Sequence, residues 1–476
     1  MKDLYRHYLL LIFSIATLFS CSPFQPTLMP DAAGDLPEAY ALFSGDPDVS
    51  SPWWMSIGSP ELSRLIDTAL SDGFTLKEAW ARLQQARSIA IQAGAAFYPE
   101  LEAFGATEHT RRHPEISALE SEGGESFVSG MASSYELDLW GRVRSQREAA
   151  LLAMHASAAD LQTARVTLTV EVADRWVRIV SQRLQKQLLE KQLEHNLTFL
   201  ELIELRFRKA IVSALDVYQQ KQVVENVRAR LPLVEAEIQL LMHELAVLLG
   251  RPPRADLDLL QTQIPIVEEL PALGLPADLL ANRPDVRAAG MRLKAAEWQV
   301  AAARANRLPA LRFSAGAQYG RSDLDLLFDT WLLSLAANLT APIFDGGRRA
   351  AEVDLTRAQA DENLWVYRRA VLTAVKEVED ALESETRQRE HIQGLESVML
   401  AARQGLEEAI QRYRRGLSDY LPVLTQLIAV QDLERDLIRQ QETLVRFRLL
   451  LHRALGGGWI EPVDASAVSM EVPSRG

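Results

Sequence analysis

The chain has 476 residues, 48% of them hydrophobic and 24% charged, which is the composition of a folded protein rather than of a disordered or collagen-like one. Its length admits about two or three domains. A formal charge of −13 argues against nucleic acid as a partner, and a single cysteine excludes an internal disulfide.

At the N-terminus, Lys2 and Arg6 precede an apolar run from Tyr8 to Phe19 that is too short for a spanning helix. This marks residues 1–20 as a signal peptide. The run ends at Leu18-Phe19-Ser20-Cys21, which resembles a bacterial lipoprotein cleavage box whose Cys becomes the lipidated first residue. Ser22, rather than Asp, follows Cys21, so the resemblance implies sorting to the outer membrane. Each buried methylene of a palmitate-type chain contributes ~0.8 kcal/mol, so more than one chain makes a durable anchor. Beyond the signal peptide no apolar run approaches the ~20 residues of a transmembrane helix. Any membrane crossing must therefore be made by strands.

Residues 21–52, rich in Pro, Gly and Asp, form an anchored linker. Helical patterns follow at Leu62, Leu65, Ile66, Ala69 and Leu70, and again from about Leu76 until Pro99 intervenes. Two strands are expected, at about 101–112 and 127–139. The second sets Phe127, Met131, Tyr135, Leu137 and Leu139 against Gly130, Ala132, Ser134, Glu136 and Asp138. From 142 to about 209 the residues are helix formers without proline, a rod of roughly 100 Å that only a coiled coil accommodates. Ser213 caps the next helix, which should bend at Pro232 and stop at Gly250. A Pro-rich and acidic loop, 251–276, leads into a repetition of the same plan. Its parts are a helix over 287–304, strands over 311–321 and 331–340, a helix over 348–415, a turn at Gly416-Leu417-Ser418, and a last helix to Leu455. A tail, 459–476, closes the chain.

The repetition shows in the letters. Tyr135-Glu136-Leu137-Asp138-Leu139-Trp140-Gly141-Arg142 answers to Ala341-Pro342-Ile343-Phe344-Asp345-Gly346-Gly347-Arg348. Arg206-Phe207-Arg208-Lys209-Ala210 answers to Arg412-Tyr413-Arg414-Arg415-Gly416, about 206 residues later. So long a period means two duplicated halves, 53–250 and 277–458, rather than a solenoid. The expected fold is mainly α with a small β part. Four strands cannot close a barrel, which needs about eight, and lipid does not tolerate open sheet edges. With aromatic and leucine faces opposed to small polar ones, several protomers must share one transmembrane β-barrel, continued by a barrel of long antiparallel coiled-coil helices.

Taken together, the chain resembles the outer-membrane channels of tripartite efflux pumps, the TolC/OprM type, in its lipoprotein branch. The matching stretches are Trp53-Trp54 before 62–70, Tyr135 to Arg142, Leu275-Pro276-Ala277-Asp278-Leu279-Leu280 with Arg283-Pro284-Asp285-Val286-Arg287, and Ala454-Leu455-Gly456-Gly457-Gly458-Trp459. The resemblance implies a homotrimer in outer-membrane lipid, a twelve-stranded barrel, and docking to a periplasmic adaptor and an inner-membrane transporter. It implies a passive duct for small molecules, gated at the helix tips that extend into the periplasm. Gate residues carried over are Tyr413, Arg414, Ser418, Asp419 and Tyr420, faced by Arg208, Lys209 and Asp216. The alternative is that these are solvated residues at helix ends. Where family members often carry acidic residues in the last long helix, this chain has Pro422 and Thr425. Ala210, Ile211, Gly416 and Leu417 suit adaptor docking and suit a plain turn equally.

Asp138 and Asp345 read as N-caps of the two long helices, with Gly141, Gly346 and Gly347 making the turn from strand to helix; a channel-lining charge is the other reading. His109 and His113 share a strand face but lack a third ligand, so no metal site is expected. No phosphate loop, catalytic triad or reactive cysteine is present, and neither enzyme activity nor a cofactor is expected. The rivals are a periplasmic coiled-coil adaptor without a pore, and an exit duct for protein secretion or metal efflux.

Overall fold

The computed structural model describes residue 24 and residues 52–55, 57–111, 123–267, 276, 279–322 and 327–456. The signal peptide, Cys21, nearly all of the linker, His113 and the tail lie outside these residues. In chain order the elements are α1 (Pro60–Asp72), α2 (Phe74–Ala95), β1 (Glu100–Arg111), β2 (Gly123–Leu137), α3 (Arg142–Arg208) and α4 (Ala214–Leu248). After single turns at Trp53–Met55 and Leu279–Asn282 are set aside, the rest are α5 (Pro284–Ala305), β3 (Ala310–Arg321), β4 (Trp331–Thr340), α6 (Arg348–Arg414) and α7 (Leu421–Ala454). The second half thus repeats the element order helix, strand, strand, long helix, helix.

The boundaries move from expectation for local reasons. β2 ends at Leu137, not 139, because Asp138 is already committed to α3. α5 begins at Pro284, where the fixed φ of proline suits the first helical position. α4 runs unbroken through Pro232, which removes one backbone donor from its ladder. Among the described residues, no helix is long and apolar enough to cross a membrane.

The chain divides into two compact units. One comprises Arg82–Ser157 and Ala288–Arg368 and holds the sheet. Its order is β1-β2-β3-β4, antiparallel throughout, so the two halves of the sequence meet at the β2–β3 pair. Tyr135 lies opposite Phe313, and Leu311 opposite Leu339. At Gly130 a Cβ would come 2.5 Å from the carbonyl oxygen of Ala317, so the close β2–β3 approach requires glycine there. Trp140 Nε1 donates to the carbonyl of Pro309, 2.7 Å away, tying the end of one hairpin to the start of the other. All ten residues of β4 are exposed, including Trp331, Leu333, Leu335 and Leu339 on one face.

The other unit takes the described residues of Ala33–Ala81, Ala158–Arg287 and Arg369–Gly476. Trp176 is fully buried in it, and its indole N–H donates to Glu61 Oε1 at 2.6 Å. The other Glu61 oxygen accepts from the backbone N–H groups of Leu260 and Gln261. Arg448 grips the buried Glu385 carboxylate with two hydrogen bonds, 2.9 and 2.6 Å. Arg283 spans Asp285, Glu377 and the carbonyl of Ala454, closing the end of α7 onto the start of α5. Burying these charges is tolerable only because each is paired.

Candidate functional site at the ends of the helical hairpins

The turns joining α3 to α4 and α6 to α7 are built alike. Ile211 N–H donates to the Arg206 carbonyl at 3.0 Å, and Leu417 N–H donates to the Arg412 carbonyl at 2.9 Å. Each bond spans five residues, closes off the orphan carbonyls of a helix C-terminus, and requires a left-handed residue between. Ala210 (φ 55°) and Gly416 (φ 71°) fill that position. Alanine there carries a steric cost of about 1 kcal/mol that glycine avoids.

α4 then starts from a capping box. Asp216 N–H donates to Ser213 Oγ, while Ser213 N–H donates to Asp216 Oδ2 at 2.9 Å. Asp216 is therefore engaged in its own helix start and makes no ion pair among the described residues. α7 has no such cap; Tyr420 stands at its N-cap and Pro422 in its first turn.

Tyr420 turns inward. It joins Ile203, Ala409, Tyr413, Val423 and Leu424 in one buried cluster. The Tyr413 and Tyr420 rings lie 5.5 Å apart, and the Arg206 guanidinium sits 4.4 Å above the Tyr413 ring. Tyr420 Oη donates to Gln220 Oε1 at 2.7 Å, and Gln220 Nε2 donates to the Asn196 carbonyl at 2.8 Å. One hydroxyl thus links both hairpins. Burial, with Tyr413 and Asp216 nearby, pushes the Tyr420 phenol well above its ordinary range, so it remains a donor at any physiological pH. The Tyr413 hydroxyl and Ser418 Oγ are buried without a hydrogen-bond partner among the described residues.

The other expected tip residues face solvent. Arg208, Lys209, Arg414 and Asp419 are exposed and make no ion pair among the described residues. Ile211 and Leu417 occupy equivalent places just beyond the left-handed residues, 57% and 65% exposed. Pro422 and Thr425 are exposed, and the Thr425 hydroxyl is turned back to the Leu421 carbonyl. The first carboxylate along α7 is Asp432.

At the opposite ends of the long helices, Asp138 accepts from the N–H groups of Val143 (2.9 Å) and Arg144 (2.8 Å). Asp345 accepts from Gly347 and Arg349, and those bonds hold its carboxyl below the usual range despite the opposing effect of burial. Gly141, Gly346 and Gly347 all have positive φ. Beside these turns lies a cavity of about 380 Å³ whose lining includes Trp140, Arg142, Asn306, Arg312 and Arg349. Glu136 at its wall is already paired with Arg142 and Arg312. Among the described residues no group of three or more His, Cys, Asp or Glu could hold a metal. His109 instead lies 3.4 Å from Glu125 on the neighbouring strand.

Sequence reasoning missed Gln220 and Asn196. Both sit in helices full of Gln, Glu and Asn, where an inward amide looks like any solvated one. Their only local mark is that each falls on the apolar stripe of its helix.

The sequence pattern of the outer membrane efflux protein family matches residues 65–251 and 275–457, one match in each half. The pyoverdine export outer membrane protein OpmQ of Pseudomonas putida is 33% identical, over 95% of this chain and 98% of that protein. The toluene efflux pump outer membrane protein TtgF, also of Pseudomonas putida, is 31% identical over 95% of this chain and 97% of its own length. The open state of the Neisseria gonorrhoeae MtrE outer membrane channel superposes with a TM-score of 0.81 at 26% identity, covering 92% of this chain and 99% of that one.

Proposed function

The chain belongs to the outer membrane efflux protein family, the outer-membrane channel components of efflux pumps, and on that premise we propose that it forms a homotrimeric, passive exit duct for small molecules, gated where α3 meets α4 and α6 meets α7. The observation that carries the reading is the open sheet. Four strands with exposed apolar residues leave β1 and β4 as unpaired edges, and lipid accepts strands only in a closed barrel. Identical copies joined edge to edge supply the missing staves. The relatives named for pyoverdine and toluene export support small molecules as cargo.

In this reading the two repeats, 53–250 and 277–458, contribute equivalent walls, and Cys21 carries the acyl anchor. The duct does no chemistry of its own; an inner-membrane transporter supplies the driving force through a periplasmic adaptor. Ile211 and Leu417, exposed beside Ala210 and Gly416, offer that adaptor an apolar contact on both tips. The Tyr420–Gln220 bond and the tyrosine pair hold the mouth shut. Arg208, Lys209, Arg414 and Asp419, exposed at the tips, meet their partners on neighbouring protomers.

Reconstitution in a planar bilayer tests this. The protein is expected to run as a heat-modifiable oligomer and to give rare, discrete conductance steps. A monomer that leaves the bilayer silent overturns it.

A further inference from the structure

Behind the tip, the seam between α3 and α7 is closed by polar side chains rather than by leucines. Gln185, Gln192 and Asn196 on α3, Gln220 on α4, and Tyr420, Gln431 and Arg435 from the N-cap onward on α7 are all at most 6% exposed. Asn196 and Gln431 bond reciprocally: Asn196 Nδ2 donates to Gln431 Oε1 at 3.2 Å, and Gln431 Nε2 donates to Asn196 Oδ1 at 3.3 Å. One turn further in, Gln192 Nε2 donates to the Gln431 carbonyl at 3.2 Å and to Glu434 Oε2 at 3.1 Å, while Arg435 donates to Gln192 Oε1. Gln185 Nε2 donates to the Arg435 carbonyl at 2.6 Å.

The two sides of this run differ. At and behind Asn196–Gln431 each of these amides has a partner. On the tip side the Tyr413 hydroxyl and Ser418 Oγ have none. Buried polar groups resist separation when paired and oppose the closed state when unpaired. Among the described residues the amides from Gln185 to Gln431 are thus satisfied and the Tyr413 hydroxyl at the mouth is not, while Ser181 Oγ, farther back on α3, is buried without a partner as well. The Tyr420–Gln220 bond is the last hydrogen bond between the hairpins before the end, with the Arg206–Tyr413 cation–π contact beyond it.

We infer that the Asn196–Gln431 pair, backed by Gln192 and Arg435, is the fulcrum of the mouth: release of Tyr420 from Gln220 frees the helix ends beyond it and leaves the helices behind it fixed. This rests on the gate reading above and adds to it the place where bending stops. Asn196, Gln431, Gln192 and Arg435 are positioning residues; they touch no cargo. Amides suit the task because a hydrogen-bonded pair resists a change of angle in a way that interchangeable leucine contacts do not.

The test uses full-length protein in liposomes; Cys21, acylated in the reading above, has no free thiol, so only introduced cysteines carry spin labels. One label pair, Glu201→Cys with Thr425→Cys, lies on the tip side of the fulcrum; the other, Gln187→Cys with Arg439→Cys, lies behind it. All four native side chains are exposed. The latch is removed by Tyr420→Phe with Gln220→Leu. The tip-side distance is expected to lengthen by ~3 Å or more, about half a helical turn, with the rear distance unchanged. Adding Asn196→Leu with Gln431→Leu should let the rear pair move as well. The exchanged pair, Asn196→Gln with Gln431→Asn, should return it to its place, which generic loss of packing would not do. If both distances change together while the fulcrum is intact, or neither changes, the inference fails. Conductance of the same liposomes reports separately on the channel itself: distances that behave as expected in a silent membrane would refute the duct and leave the fulcrum standing.

Discussion

Burial disfavours the charged form of His452, and Arg448 nearby disfavours it further, so its pKa falls from the ordinary imidazole range to about 3. The ring stacks on Trp53 at 5.2 Å, joining the end of α7 to the segment that precedes α1. Because the folded pKa lies below the unfolded one, His452 contributes stability that is complete above about pH 6.5 and is lost as pH falls toward 3. With its partial exposure taken into account, the loss by pH 5 is ~1–2 kcal/mol. Glu442 acts in the opposite sense: burial raises its pKa, so its contribution falls as pH rises above the ordinary carboxylate range. The slope for the intact protein is the difference of these effects. His452→Gln removes one of them, so between pH 6.5 and 5 its apparent melting temperature should fall less steeply on acidification than that of the unaltered protein. An equal slope in both proteins would mean that His452 takes up its proton in the folded protein as readily as in the unfolded chain.

The two long helices start on aspartates. Asp138 has one oxygen on Val143 N–H and the other on Arg144 N–H, as a helix cap does. Asp138→Ala should destabilise the protein by about 1 kcal/mol, with Asp138→Asn recovering most of the loss. Ion selectivity in a bilayer should be unchanged in both variants; a shifted reversal potential would give Asp138 back its channel-lining role. Caps and turns of this kind were legible because their chemistry is confined to a few neighbours in sequence. Asp–x–x–Gly before a helix, Ser213 three residues before Asp216, and Gly416 at a C-terminus each state their conformation locally. Contacts between elements were not legible. Nothing near Gln220 in the sequence says that a tyrosine 200 residues away ends on its carbonyl.

On the scale of the whole molecule, the duplication and the alternation of the strands carried the fold, because an aromatic and leucine face opposed to a small polar one has few stable surroundings. The family match in each half agrees with that reading. The pairing of β2 with β3, which joins the two halves in one sheet, follows from neither half alone. β4 permits a test of which face meets lipid. Leu335 and Asn338 are both exposed, three residues apart, and on opposite faces of the strand. In a shared barrel, arginine on the lipid side costs about 2–4 kcal/mol near the bilayer midplane, repeated in every protomer, whereas on the lumen side it remains in water. Leu335→Arg should therefore abolish the heat-modifiable oligomer in outer-membrane fractions, while Asn338→Arg should assemble and shift ion selectivity toward anions. Equal assembly of the two variants would mean that neither face meets hydrocarbon, and a sheet wetted on both sides cannot be part of a membrane wall.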